Sequence, residues 1–178
     1  MEEKQVIESF LSDRTDEAFC ALFEAYCVRL RRYFLLRGLD AATAEDLTQD
    51  VFVKVHQKAG ELREPERFHG WLFAIARNEM ISYWRREQPR LERANIEDTL
   101  AEPDMISAMR LTDMLRTLEP AERELVVLRF VEGLSYEELA EALKLPLGTV
   151  KWRIFNVRKK LARSLDGSPT RAARETIN

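Results

Sequence analysis

SYEELAEALKLPLGTVKWRIFNVRKK, residues 135–160, is the stretch from which the fold can be read. It opens on Ser135-Tyr-Glu-Glu138, a capping box in which a serine hydroxyl and a glutamate three residues on satisfy each other's backbone N–H groups. Leu139, Ala140 and Leu143 then fall on the inner face of a short helix. A tight connection, Leu145-Pro-Leu-Gly148, leads straight into a second helix. Short capped helix, tight turn and longer basic helix make the helix-turn-helix pattern. In the second helix Val150, Ile154, Val157 and Leu161 recur at spacings of four, three and four, which defines its buried stripe. With that stripe inward, at about 100° per residue, Trp152, Phe155, Asn156 and Lys159 point outward. Lys151 and Arg158 flank one side, and Arg153 and Lys160 the other. Six basic residues and no acidic one lie between Lys151 and Arg163. Such a helix suits a major groove, with its shoulders on phosphates and its crest on base edges.

Residues 119–141, just upstream, hold seven carboxylates against two arginines, so positive potential is confined to one face. Helical signals cover about Ile106–Leu118, Ala121–Glu132, Tyr136–Leu143 and Pro146–Leu165. Residues 88–108 lose the pattern: Gln88-Pro89 and Glu102-Pro103 break helices, and Glu92, Glu97, Asp98, Glu102 and Asp104 make the stretch acidic. It reads as a flexible linker, and residues 166–178 read as a disordered tail.

Three amphipathic helices precede the linker. The first runs from Asp16 to Arg37 with Phe19, Phe23, Tyr26, Leu30 and Phe34 on one stripe, and Gly38 as its stop. The second starts at Thr43, whose Thr-Ala-Glu-Asp approximates a capping box, buries Leu47, Val51, Val55 and Ala59, and ends at Gly60. The third opens at Pro65 and sends Phe68, Trp71, Leu72, Ile75 and Trp84 to the core. A short amphipathic segment around Val6, Phe10 and Leu11 packs ahead of them. The expectation is an all-α chain of two small helical domains, an N-terminal bundle over 1–87 and a helix-turn-helix domain over 109–165.

Composition narrows the function. The 178 residues carry a formal net charge of −3, so DNA binding must come from local patches. Cys20 and Cys27 are seven apart on one helix, about 10 Å at 1.5 Å per residue, beyond disulfide reach. With His56 and His69 they form no metal-ligand spacing, and no phosphate loop or nucleophile motif is present. No catalytic residue, metal or cofactor is expected. No apolar run approaches the ~20 residues of a membrane span, and a cytoplasmic protein without membrane insertion is expected.

Five segments in order resemble bacterial RNA polymerase sigma factors of the extracytoplasmic-function (ECF) type. They are AEDLTQDVFV (44–53), FHGWLFAIARN (68–78), LEPAERE (118–124), GLSYEELA (133–140) and GTVK (148–151). The resemblance covers both domains, called region two and region four, and implies a non-enzymatic subunit that directs core polymerase to promoters. It implies that Glu45, Asp46, Gln49, Asp50 and Lys54, on the polar face of the second helix, dock on the clamp helices of the polymerase beta-prime subunit, with the beta subunit a further contact. It assigns the −10 promoter element and its opened strand to Arg63, Arg67, His69, Arg77, Asn78, Tyr83, Arg85 and Arg86. That set offers the cations and stacking surfaces a separated strand requires. The −35 duplex falls to Thr149, Lys151, Trp152, Arg153, Phe155, Asn156, Arg158 and Lys159. An anti-sigma factor is the other implied partner. Leu62-Arg63 stands where an aromatic is common, and Trp152 and Asn156 stand where relatives often carry a small residue and an arginine. The −35 sequence is therefore not transferable from other members. Two other readings are a helix-turn-helix regulator that works without polymerase and a sigma-mimicking protein that only titrates an anti-sigma factor.

Overall fold

A computed structural model describes residues 3–62, 64–91 and 114–165. The linker segment 92–108, the tail from 166 and Arg63 lie outside the described residues. Among the described residues all regular structure is helical.

Four helices form the N-terminal bundle: α1 (Glu3–Asp13), α2 (Asp16–Leu36), α3 (Ala41–Lys58) and α4 (Phe68–Leu91). Thr15 caps α2 by accepting the N–H of Ala18 at 3.2 Å. Gly38 at φ +91° ends it, with Gly38 N–H on Leu35 and Leu39 N–H on Phe34, a left-handed stop that glycine adopts without strain. The inward stripe of α2 is Ala18, Leu22, Tyr26, Leu30, Tyr33 and Phe34. Phe23, expected in the core, is 38 % exposed. Its ring leans across to Phe52 of α3 at 4.7 Å instead, because its position faces the α2/α3 seam.

The start of α3 differs from the expectation. Asp40, not Thr43, is the cap: its Oδ1 accepts the N–H of Thr43 at 3.0 Å and its Oδ2 accepts the Thr43 hydroxyl at 2.7 Å. A carboxylate three residues ahead supplies the stronger acceptor, so Thr43 becomes a first-turn residue. Leu47, Val51, Val55 and Ala59 are buried as expected. Before α4, Pro65–Arg67 form a 3-10 turn. Phe68, Leu72, Ile75 and Met80 of α4 are core, Trp71 packs partly against it, and Trp84 is 37 % exposed. Trp84 lies one position past the inward stripe and meets Tyr83 edge-on at 5.6 Å. The helix also continues through Gln88-Pro89 to Leu91. Proline removes one backbone donor and is disfavoured inside a helix, and here it falls in the last turn.

Residues 114–116 are helical, with Leu115 and Leu118 buried. The single helix expected over Ala121–Glu132 is instead α5 (Pro120–Val126) followed by a π-turn over Val127–Val131. Then come α6 (Tyr136–Leu143) and α7 (Leu147–Leu165). Leu125, Val126, Val127, Leu128, Leu139, Val150, Ile154 and Val157 share one apolar cluster with the N-terminal bundle. The two halves of the chain lie directly against each other.

Candidate nucleic-acid interface

Ser135 builds the helix-turn-helix as its sequence predicts. Its Oγ accepts the N–H of Glu138 at 3.1 Å, and Glu138 returns a carboxylate to the Ser135 N–H at 2.7 Å. Lys144, at φ 54°, closes α6 in the left-handed region, with Leu145 N–H on the Ala140 carbonyl at 2.9 Å. The turn thus delivers α7 with Val150, Ile154 and Val157 buried, and with Leu161 partly buried against the same core. Trp152 and Phe155 stand 64 % exposed, two large aromatics aimed at solvent on a basic helix. Lys151, Arg158 and Lys159 are exposed, while Thr149, Arg153 and Asn156 are half-buried along its sides. Lys160 is drawn back to α5, its Nζ 2.7 Å from Glu122. The open cations of this face are Lys151, Arg158 and Lys159.

On α3, Glu45, Asp46, Gln49 and Asp50 are exposed side by side. Lys54, expected with them, is half-buried and ion-paired to Glu79 of α4. A buried carboxylate requires a counter-charge, and Lys54 is the one within reach, so it leaves the polar face. Beside that face is an open apolar groove of about 450 Å³ between α2 and α3, lined by Phe19, Phe23, Phe52, Val53, His56 and Gln57 among others. The sequence reading missed this groove. Its available signal was Val53, an apolar residue between the inward Val51 and Val55 and therefore on the opposite face.

The set assigned to the opened strand divides in two. Asn78, Arg85 and Arg86 are exposed and Tyr83 is half-buried on the middle and far part of α4. Arg67, His69 and Arg77 instead meet carboxylates of the C-terminal helices. Arg67 Nη2 lies 2.9 Å from Glu141, His69 Nδ1 3.9 Å from Glu138 and Arg77 Nε 3.2 Å from Glu124. His69 Nε2 also sits 2.7 Å from the Tyr26 hydroxyl and 3.1 Å from Glu3. Burial works to raise the Glu3 carboxyl, but hydrogen bonds from Tyr26 and His69 and the charge of Arg29 leave it below its ordinary value.

Two carboxylates from the second half are buried in the first. Glu132 has a fully covered side chain, held by Arg29 Nε at 3.2 Å and Arg32 Nη2 at 2.9 Å, and Arg29 Nη2 donates to its backbone carbonyl at 2.8 Å. Glu124 accepts the Tyr33 hydroxyl at 3.3 Å and lies beside Arg77 and Arg37. Burial, then the neighbouring Glu124 charge, pushes the Tyr33 hydroxyl well above its ordinary pKa, so it remains a donor. Nothing in the periodicity separated these two glutamates from the solvated acidic residues around them.

The fold and these surfaces define a helical transcription factor of the helix-turn-helix class. The family model described as Sigma-70 region 2 matches residues 22–90, and that described as Sigma-70, region 4 matches residues 108–161. The chain is 33 % identical over 154 residues to the ECF RNA polymerase sigma factor RpoE of Cereibacter sphaeroides, covering 81 % of this chain and 84 % of that one. It is 32 % identical over 162 residues to the ECF sigma factor BldN of Streptomyces coelicolor, covering 84 % of this chain but only 61 % of that relative. Among solved structures it is similar to CnrH in complex with the cytosolic domain of CnrY, with TM-score 0.67, 28 % identity, and coverage of 94 % of this chain and 99 % of that one. It is also similar to RpoE in complex with the anti-sigma factor NepR from Bartonella quintana, with TM-score 0.72, 25 % identity, and coverage of 85 % and 98 %. The chain belongs to the ECF family of RNA polymerase sigma factors. It is a transcription-initiation subunit that joins core RNA polymerase and directs it to promoter DNA.

Proposed function

We propose a division of labour between the two halves of the chain. Residues 1–87 are region two, and the exposed α3 face of Glu45, Asp46, Gln49 and Asp50 is its docking surface for the beta-prime clamp helices. A polar patch bordered by an apolar groove has the make-up of a protein interface, where apolar contact carries affinity and the polar rim carries specificity. The opened −10 strand runs along the Pro65–Arg67 turn and α4 over Arg67, His69, Arg77, Asn78, Tyr83, Arg85 and Arg86, with Arg63 at its entrance. Residues 109–165 are region four, and α7 reads the −35 duplex. The observation that carries this reading is the 64 % exposure of both Trp152 and Phe155 on the basic face of a capped helix-turn-helix. No solvated helix gains stability from two bare aromatic rings, whereas a groove-reading helix uses them against bases and thymine methyls.

The acidic linker that follows α4 threads the polymerase between the two promoter elements, its carboxylates lying in a channel built for nucleic acid. The protein acts in the cytoplasm, without enzymatic activity of its own, and an anti-sigma factor holds it until a signal arrives, as NepR binds its relative RpoE. Among the described residues no helix is long and apolar enough to cross a membrane.

Reconstituted transcription on genomic DNA with core polymerase tests the whole reading, with defined start sites as the expected result. Charge reversal at Asp46 and Asp50 tests the docking face. The double variant should keep full helicity and lose core affinity by at least tenfold in titration, roughly the 1.4 kcal/mol equivalent. Unchanged affinity would remove α3 from the interface. Nanomolar, sequence-specific duplex binding by the chain alone would favour a regulator that needs no polymerase.

A further inference from the structure

Among the features by which base pairs are told apart in the major groove, the thymine methyl is the apolar one; the rest are hydrogen-bond donors and acceptors. The groove-facing side of α7 is apolar to match. Trp152 and Phe155 are each 64 % exposed, and at about 100° per residue they stand only about 60° apart around the helix. Along the axis they are separated by about 4.5 Å at 1.5 Å per residue, close to the base spacing of about 3.4 Å on one strand. Asn156 follows Trp152 by four positions and is half-buried beside it. All three lie in the first ten residues of α7 (Leu147–Leu165), the end of a recognition helix that meets base edges. The open cations stand elsewhere. Lys151 and Arg158 are about 100° or more around from Trp152, and Lys159 lies one turn beyond Phe155.

This arrangement is ill suited to guanine, whose O6 and N7 are read by the two donors of an arginine or lysine. An indole or phenyl ring laid over a G·C pair would bury those acceptors, or the cytosine amine, without a partner, and a buried polar group left unpaired is costly. Laid over thymine, the same ring covers a methyl group and nothing is left unpaired. The Asn156 amide complements the N6 and N7 edge of adenine.

We propose that α7 selects its promoter element by methyl groups: Trp152 and Phe155 cover the methyls of two neighbouring thymines, and Asn156 takes an adenine edge beside them. The core of the −35 element is then A·T, and Trp152 is a specificity-determining residue. This rests on the assignment of α7 to the −35 duplex. The chemistry also extends to 5-methylcytosine, which carries the same methyl at the same place in the groove, so a methylated C·G pair is a partial substitute for T·A and an unmethylated one is not.

The test uses holoenzyme assembled from core polymerase and the full chain. Duplexes randomised over the −35 segment are selected first, and adjoining thymines should emerge opposite α7. In the selected duplex each thymine is then replaced by uracil, which removes the methyl and leaves the pairing intact. Holoenzyme affinity should fall about fourfold at each contacted position, the equivalent of one buried methyl group. Trp152→Ala and Phe155→Ala should each abolish the uracil effect at one position and keep it at the other; both side chains are exposed, so the fold tolerates their loss. Cytosine placed at a contacted position should bind more tightly when methylated at C5. A selected element with guanine in place of the thymines overturns the proposal, and so does uracil without effect at every position. A uracil effect that persists in both ring variants also overturns it, since the methyl would then act through the shape of the duplex. Each of these outcomes leaves α7 on the −35 duplex. Indifference of the holoenzyme to the whole −35 segment would instead overturn that assignment and the proposal with it.

Discussion

Asp40 makes two hydrogen bonds to one residue, and that local arrangement has a measurable signature. The Thr43 N–H, then the Thr43 hydroxyl, hold its carboxyl below the ordinary aspartate value. A carboxyl depressed in the folded state stabilises the protein above its unfolded pKa of about 4, and that contribution is lost as pH falls through the folded value. Asp40→Ala should therefore cost about 1 kcal/mol at neutral pH. The gap between variant and parent should close in acid, measured by denaturant unfolding over a pH series. On α7 the residue scale separates anchors from readers. Replacing Lys151 or Arg158 with alanine should weaken binding to all −35 sequences alike and lower the salt slope by roughly 0.9 for each phosphate left unneutralised. Replacing Asn156 or Phe155 should change preference at one or two base pairs, at about 1–3 kcal/mol for the favoured base. A selection of −35 sequences with polymerase and each variant distinguishes the two; uniform loss from Phe155→Ala would mean the helix is rotated from the orientation assigned to it. Phe155 and Trp152 were legible as outward because the stripe of Val150, Ile154 and Val157 fixes the rotation of α7. Lys160 was not, because its partner Glu122 is 38 residues away in sequence and only the fold brings them together.

Capping and stop signals are short-range chemistry, which is why α6 and the end of α2 could be read directly. Ser135 and Glu138 meet as their spacing dictates, and Gly38 stops α2 as its type dictates. The π-turn at Val127–Val131 carried no such mark, since a run of apolar residues suits an α-turn equally well. The glycine just beyond it does leave a trace. Gly133 sits at φ +80° with nothing crowding its α-carbon, while Gly148 lies in the first turn of α7, also in open space. The two glycines should thus respond in opposite ways to alanine. Gly133→Ala is expected to destabilise by more than about 0.5–1 kcal/mol because of backbone strain. Gly148→Ala should be neutral or stabilising by up to about 1 kcal/mol, since alanine is the better helix former. Paired thermal melts would check this, and equal responses would contradict the turn geometry between α5 and α6.

At the scale of the molecule, arginines of one half face glutamates of the other. The chain is net negative at −3, yet Arg29, Arg32, Arg37, Arg67 and Arg77 gather on the N-terminal bundle and meet glutamates from the other half. With those arginines already paired, the free protein meets a duplex with the outer side of α7, against a net charge of −3. It should show little specific duplex binding at physiological salt, by anisotropy with a −35 fragment selected on the holoenzyme. Tight binding there would mean that α7 suffices without polymerase. This mutual placement is what the sequence could least reveal. Amphipathic stripes tell each helix which side is inward, but the acidic run at residues 119–141 looks the same whether it faces water or five arginines. Long-range pairs such as Arg32 with Glu132 or Arg67 with Glu141 have no periodicity to betray them.

Gly70 gives that contact a mark that can be looked for in other chains. A glycine in a helix costs roughly 1 kcal/mol against alanine, and here the room it leaves is taken up by Glu138. A lineage whose two halves never touched would gain by filling the position. Descendants that keep glycine at 70 together with an acidic residue at 132 should share the contact between the two halves. Those in which a bulky side chain has replaced the glycine should lose that contact, and the two substitutions should drift together through the family tree.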